Sequence, residues 1–204
     1  MLKRFSSLLS LCINAVIPPR RSERAISTLT LEELEYLRTE DGLPYHHPTV
    51  SMLIWELKYN RNGHALALAG EFLAEDLLGI AQEELGKPLL IPVPMHKARR
   101  KERGHNQTEL LCEAALKHVG GSLEYAPRAL VRTLATEPQQ KLARHIRLKN
   151  VKNSMEAANP VNIKGRVCVV VDDVATTGAT LAEAARALRK AGARRVHTLA
   201  LARS

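Results

Sequence analysis

A chain of 204 residues, 45% of them hydrophobic, can bury one substantial core, which excludes a disordered polymer. A net charge of +9 favours polyanionic partners, while an aromatic content of 3% argues against an extended platform for stacking single-stranded bases. Cys12, Cys112 and Cys168 are scattered in apolar surroundings with no Cys-x-x-Cys pair, so they read as small core residues of a reducing cytoplasm, without a disulfide framework or zinc spacing.

Near the N-terminus, Lys3 and Arg4 precede an apolar run from Leu8 to Ile17. Ser10 and Asn14 interrupt the run, no small-x-small cleavage site follows, and it is too short to cross a bilayer, so it reads neither as a signal peptide nor as an anchor. Phe5, Leu8, Leu11, Cys12 and Ala15 trace one helical face, expected to dock on the core. Leu31 to Leu37 predicts a second short helix, with Thr30 and Glu33 as a capping box. Gly42 to Pro48 reads as a linker, separating a small N-terminal helical segment, 1–45, from a main domain, 46–204. His46 and His47 within it lack a supporting Cys or acid and read as an exposed turn.

From His64 to Leu78, Leu66, Ala69, Leu73 and Leu77 mark an amphipathic helix. A strand at Leu89 to Val93 follows, its end signalled by Pro92 and Pro94. The basic stretch Lys97, Arg99, Arg100, Lys101 and Arg103 comes next, then a helix capped by Asn106 and Glu109 that Gly120 and Gly121 stop. A further strand is expected around Glu124 to Val131 despite Pro127, and Thr133 to Met155 forms a long polar insertion of the kind used as lids. Val167 to Val171 is a five-residue apolar run suited to a strand covered on both faces. Leu181, Ala184, Ala185 and Leu188 then recur at helical spacing, with Glu183, Arg186, Arg189 and Lys190 on the polar face and Gly192 at the end, before a last strand at Val196 to Leu201. This alternation predicts an α/β fold with a central, mainly parallel sheet and helices on both faces, whose ligands collect at the carboxyl ends of the strands.

At that edge lies the most informative stretch, Asp172-Asp173-Val174-Ala175-Thr176-Thr177-Gly178-Ala179-Thr180. Unpaired N–H groups at a helix N-terminus attract a phosphate, Thr176, Thr177 and Thr180 offer hydroxyls, and Gly178 lets the backbone come close. Carboxylates at Asp172 and Asp173 suit sugar hydroxyls, or Mg²⁺ held through water. Asp and Thr are also ordinary capping residues, so the residues alone leave open a merely structural strand–helix joint. The arginines after the first strand fit a pyrophosphate group or a solvated basic helix.

The apolar strand, acid pair and Thr-Thr-Gly-x-Thr loop resemble the phosphoribosyl-pyrophosphate (PRPP) motif of type I phosphoribosyltransferases. Leu89 to His96 with Arg99, Arg100, Arg103-Gly104-His105-Asn106-Gln107 and Leu110-Leu111 resembles the ComF family, competence-associated phosphoribosyltransferase-like proteins. Leu57-Lys58-Tyr59 matches its upstream element, and Pro138-Gln139, Leu142, Arg147 and Asn150 match its mobile loop. His105 stands where the family usually has an aromatic residue, and Arg21 and Arg24 follow Pro18-Pro19-Arg20 where a Cys-x-x-Cys zinc element is common. The resemblance implies a type I phosphoribosyltransferase-like fold and a Mg²⁺-dependent PRPP site. In it Asp172 and Asp173 are the catalytic acids and the water-mediated Mg²⁺ ligands. Ala175, Thr176, Thr177, Gly178, Ala179 and Thr180 hold the 5′-phosphate, and Arg99, Arg100 and Arg103 hold pyrophosphate. Gln139, Arg147 and Asn150 belong to the mobile loop, which closes over the leaving group. The implied reaction is ribosyl phosphate transfer to an unassigned nitrogen acceptor. The competing role is non-catalytic, either sensing PRPP or assisting single-stranded DNA uptake with competence helicase machinery. A homodimer is compatible with either.

Overall fold

The structure is a computed structural model that describes residues 19–133 and 153–204. The helix expected around Phe5 to Ala15 and the loop residues Gln139, Arg147 and Asn150 lie outside them.

Helices α1 (Pro19–Ser27) and α2 (Leu31–Tyr36) come first, α2 closed by the Thr30–Glu33 capping box that its sequence predicts. Arg38 clamps α2 onto α4 (Gly63–Glu83), meeting Asp76 at 2.8 Å and lying 3.8 Å above the Phe72 ring. The stretch read as a linker instead carries β1 (Leu43–Pro44), which pairs in parallel with β7 (Arg195–Arg203) through Leu43 opposite Ala202. Ile26, Leu34 and Leu43 share one buried cluster with Phe72, Leu73 and Leu77, so the N-terminal helices and the sheet have a common core.

Helix α3 (Pro48–Trp55) runs into a π-helical turn at Glu56–Asn60, closed by Arg61 at a left-handed φ of 49°. Its hub is the fully buried Glu56 carboxylate, which accepts from Ser22 Oγ at 2.7 Å, Asn60 Nδ2 at 2.9 Å and Asn62 Nδ2 at 3.2 Å. Burying a carboxylate is tolerable when its lone pairs are filled this way.

Strand β2 (Leu89–Pro92), helices α5 (Lys97–Arg103) and α6 (Gln107–Leu116), and strand β3 (Glu124–Tyr125) follow. The single strand expected over Glu124 to Val131 is two. Pro127 lies between β3, in the main sheet, and β4 (Leu130–Arg132), which pairs antiparallel with β5 (Met155–Ala157) in a separate ribbon. The chain then forms β6 (Val167–Ala175), α7 (Ala179–Lys190) and β7.

The main sheet has the order β1-β7-β6-β2-β3 and every pairing is parallel. Its central strand β6 explains the unbroken valine run. Val169 and Val171 pack with Phe72 and Leu111 on one face, while Cys168 and Val170 pack with Leu181, Ala184 and Leu188 on the other. Cys112 and Cys168 are both buried, as small core residues should be. Glu183, which helical spacing puts on the polar face of α7, is also buried, and accepts from Met155 N–H at 3.2 Å while Arg186 Nε donates to it at 2.8 Å. The β4–β5 ribbon is thereby tied to α7. No helix among the described residues is long and apolar enough to cross a membrane.

Candidate active site

The carboxyl ends of β2 and β6 stand side by side, Pro92 opposite Val171, so the segments that follow them meet. Val93 N–H donates to the Val171 carbonyl at 2.8 Å. The Val93 carbonyl in turn accepts from Thr108 Oγ1 at 2.7 Å and Asn106 Nδ2 at 3.1 Å, which fixes the turn after β2 on the start of α6. A cavity of about 220 Å³ opens above this edge. Its wall includes Lys58 and Tyr59 of the π-helical turn, Arg99 and Arg103 of α5, Arg132 of β4, Asp172 and Asp173 of β6, and Thr176 and Thr180 of the following loop.

The two acids differ. Asp173 Oδ2 is 3.2 Å from Lys58 Nζ, and its Oδ1 accepts the Val174 N–H at 2.7 Å. Asp172 accepts only the Asp173 N–H at 2.9 Å among printed bonds of this segment, and has no such cation at contact distance. Burial first, and then the like charge of Asp173, push the Asp172 carboxyl up to about 7, although the residue keeps some surface toward the cavity.

The loop after β6 turns at Gly178, whose φ of 71° a side chain would resist, and α7 starts immediately behind it. Thr177 Oγ1 accepts from Ala179 N–H at 3.4 Å, and residues 174–181 with Asp172 line a shallow hollow adjoining the cavity. All six residues expected to hold a phosphate, Ala175 to Thr180, therefore sit at one hollow beside the acid pair.

The three arginines expected at pyrophosphate separate. Arg99 and Arg103 line the cavity, and Arg103 lies 5.3 Å over the Tyr59 ring. Arg100 is not among the lining residues, and its guanidinium grips Glu109 with two bonds of 2.7 and 2.8 Å. Partial burial and the neighbouring Arg103 lower the Arg99 pKa, as expected where cations crowd without an anion. His105, beside this cluster, buries Nε2 without a hydrogen bond.

Sequence reasoning missed two site groups. Lys58 was visible only as part of a motif, because its pairing with Asp173 spans most of the chain. Arg132 had a signal that went unread: Leu130 is buried, Val131 exposed, and Arg132 returns to the inner side of the strand, where an arginine is out of place. Among the described residues no cluster of three or more His, Cys, Asp or Glu is placed to hold a metal. The Asp172–Asp173 pair nonetheless fits Mg²⁺, which is commonly held by one or two carboxylates with water and ligand phosphates.

Residues 114–204 match the phosphoribosyl transferase domain family. The chain is 34% identical over 160 residues to the DNA utilization protein YhgH of Salmonella typhi, covering 77% of this chain and 68% of that protein. Competence protein F of Haemophilus influenzae is 34% identical over 116 residues, 56% of this chain and 50% of that one. Among solved structures, a hypoxanthine phosphoribosyltransferase from Staphylococcus aureus superposes with a TM-score of 0.41 at 10% identity, over 66% of this chain and 61% of that one. With the threonine loop and acid pair set at the edge of a five-stranded parallel sheet, and with relatives of this similarity, the chain belongs to the ComF family of phosphoribosyltransferase-like proteins and has their type I phosphoribosyltransferase-like fold.

Proposed function

We propose that the cavity binds PRPP with Mg²⁺ and transfers its ribosyl 5-phosphate to a nitrogen acceptor, releasing pyrophosphate. The observation that carries this reading is the convergence, on one cavity, of an acid pair at a strand end, a threonine loop opening a helix, and cations from α5. Thr176 to Thr180 and the first turn of α7 hold the 5′-phosphate, whose charge the helix N-terminus favours. Asp172 and Asp173 accept the ribose hydroxyls and, through water, position Mg²⁺; when bound, the metal neutralises charge on the departing pyrophosphate. Arg99 and Arg103 supply the other cations there. The C1–oxygen bond breaks with its electron pair leaving on pyrophosphate, the acceptor nitrogen forms the new bond to C1, and that nitrogen sheds its proton. Carboxylates beside a ribose that gains positive character, and cations beside a leaving group that gains negative charge, both lower the barrier.

A second reading is non-catalytic. The relatives' names, DNA utilization protein and competence protein, support a role in handling single-stranded DNA, alone or with a helicase, or in sensing PRPP, and the net charge of +9 suits a polyanion. A cytoplasmic location and a homodimer complete the proposal.

The deciding measurement is calorimetric titration of PRPP with and without Mg²⁺, on the wild type and on a variant carrying both Asp172→Asn and Asp173→Asn. Mg²⁺-dependent binding lost in the variant supports the site and leads to an acceptor screen for pyrophosphate release. No binding by folded wild type rejects the PRPP reading.

A further inference from the structure

The proposed function leaves one cavity-lining group without a task. Arg132 stands on β4, over the face of the sheet that α7 covers, and its Nε and Nη2 are both sealed from solvent without a hydrogen-bond partner. A guanidinium is always charged and carries five donors in a rigid fork, so sealing two of its nitrogens unpaired is unfavourable unless something else fills them. The neighbouring carboxylates do not. Glu183 is bonded to Arg186 and to the Met155 N–H, and Asp172 to the Asp173 N–H; both attract Arg132 only at a distance, while Arg99 repels it. No ion pair among the described residues uses Arg132 as a structural brace. It is a buried fork, held by the ribbon at the wall of a cavity already rich in cations.

We infer that Arg132 is a ligand-binding residue of this cavity whose guanidinium takes two oxygens of a phosphoryl group, sharing with Arg99 the diphosphate end of the ligand. Planar two-point recognition of phosphate is what the fork is built for, and an ammonium cannot reproduce it. The identity of the ligand rests on the PRPP reading; the demand for a phosphoryl oxyanion rests on Arg132 itself.

The test compares wild type, Arg132→Gln and Arg132→Lys in the full chain, by melting temperature and by titration with PRPP, inorganic pyrophosphate and ribose 5-phosphate, each with Mg²⁺. Arg132→Gln should melt at or above the wild-type temperature, because it removes a buried unpaired charge. Its affinity for PRPP and pyrophosphate should fall about ten- to hundredfold, while ribose 5-phosphate, which lacks the diphosphate, changes less than about threefold. Arg132→Lys should lose an intermediate amount. A structural arginine gives the opposite pattern, lower melting temperature with unchanged affinity, and that result overturns the inference, as does wild-type affinity for both polyanions in a folded Arg132→Gln. Should Arg132→Gln fail to fold, wild-type affinity in Arg132→Lys overturns it. Wild type that binds pyrophosphate but not PRPP, with the pyrophosphate lost in Arg132→Gln, removes the PRPP reading and keeps the inference; wild type that binds neither removes both.

Discussion

Asp172 stores a pH dependence that can be read in two ways. Its carboxyl, ordinarily near 3.8, is pushed up to about 7 by burial and by Asp173, and only partly drawn back by the Asp173 N–H and by Lys58 and Arg132. The folded state therefore holds a proton there that the unfolded chain has already lost above about pH 4. This contribution to stability is fully present below about pH 4 and is lost as the pH rises toward 7, by at most ~1.4 kcal/mol per pH unit. Wild type should accordingly lose stability relative to Asp172→Asn between pH 5 and pH 7.5 by roughly 1 to 3 kcal/mol, measured as the difference between their urea unfolding curves at each pH. Parallel pH profiles would mean that Asp172 is ionised throughout. PRPP affinity runs the other way, since only the carboxylate can accept two ribose hydroxyls: it should rise through pH 7 in wild type and stay flat in Asp172→Asn. The acids and the threonine loop were legible in the sequence because they are consecutive, so one local pattern carried them all. Lys58 and Arg132 were not, because each acquires its meaning from a charge far away along the chain.

At the scale of elements, α4 and α6 approach so closely that a Cβ on Gly70 would stand 2.6 Å from the Ala114 Cβ and 2.8 Å from its carbonyl carbon. Helix propensity alone favours alanine over glycine by about 1 kcal/mol. Packing decides otherwise, because the obstacle is partly backbone. Gly70→Ala should destabilise the protein by roughly 1 to 3 kcal/mol in denaturant unfolding, and a stabilised variant would show that the two helices can part at no cost. The same contrast between local preference and packing separates the elements that sequence reading found from those it missed. Val167 to Val171 announced itself because both its faces are buried. Strand β1 did not, being two residues long with a proline, and it exists only because the edge of β7 is free to pair. Glu183 was assigned to solvent by spacing alone and is buried because the β4–β5 ribbon covers that side of α7.

For the molecule as a whole, the net charge of +9 is spread well beyond the cavity, with Lys97, Lys101 and Arg189 among exposed or partly exposed positions remote from Asp172 in sequence. Single-stranded DNA attracted by that exterior should lose affinity steeply between about 50 and about 200 mM salt, through release of counterions. It should bind wild type and Asp172→Asn alike. Fluorescence anisotropy with a labelled oligonucleotide measures this directly, and an affinity abolished by Asp172→Asn would place DNA within the cavity instead.

The sheet order has a further consequence for how the chain is made. The central strand β6 and its neighbour β7 come last, and β1, among the first segments synthesised, pairs only with β7. While a ribosome works through the first 160 or so residues, the apolar sides of α1 to α4 and the strands β1, β2 and β3 are present without the strand that joins them. Domains generally fold as units, and a centre supplied late delays the whole unit. Nascent chains paused before β6 should thus be sticky substrates for chaperones, and the protein's vulnerability to aggregation belongs to its minutes of birth rather than to its mature surface.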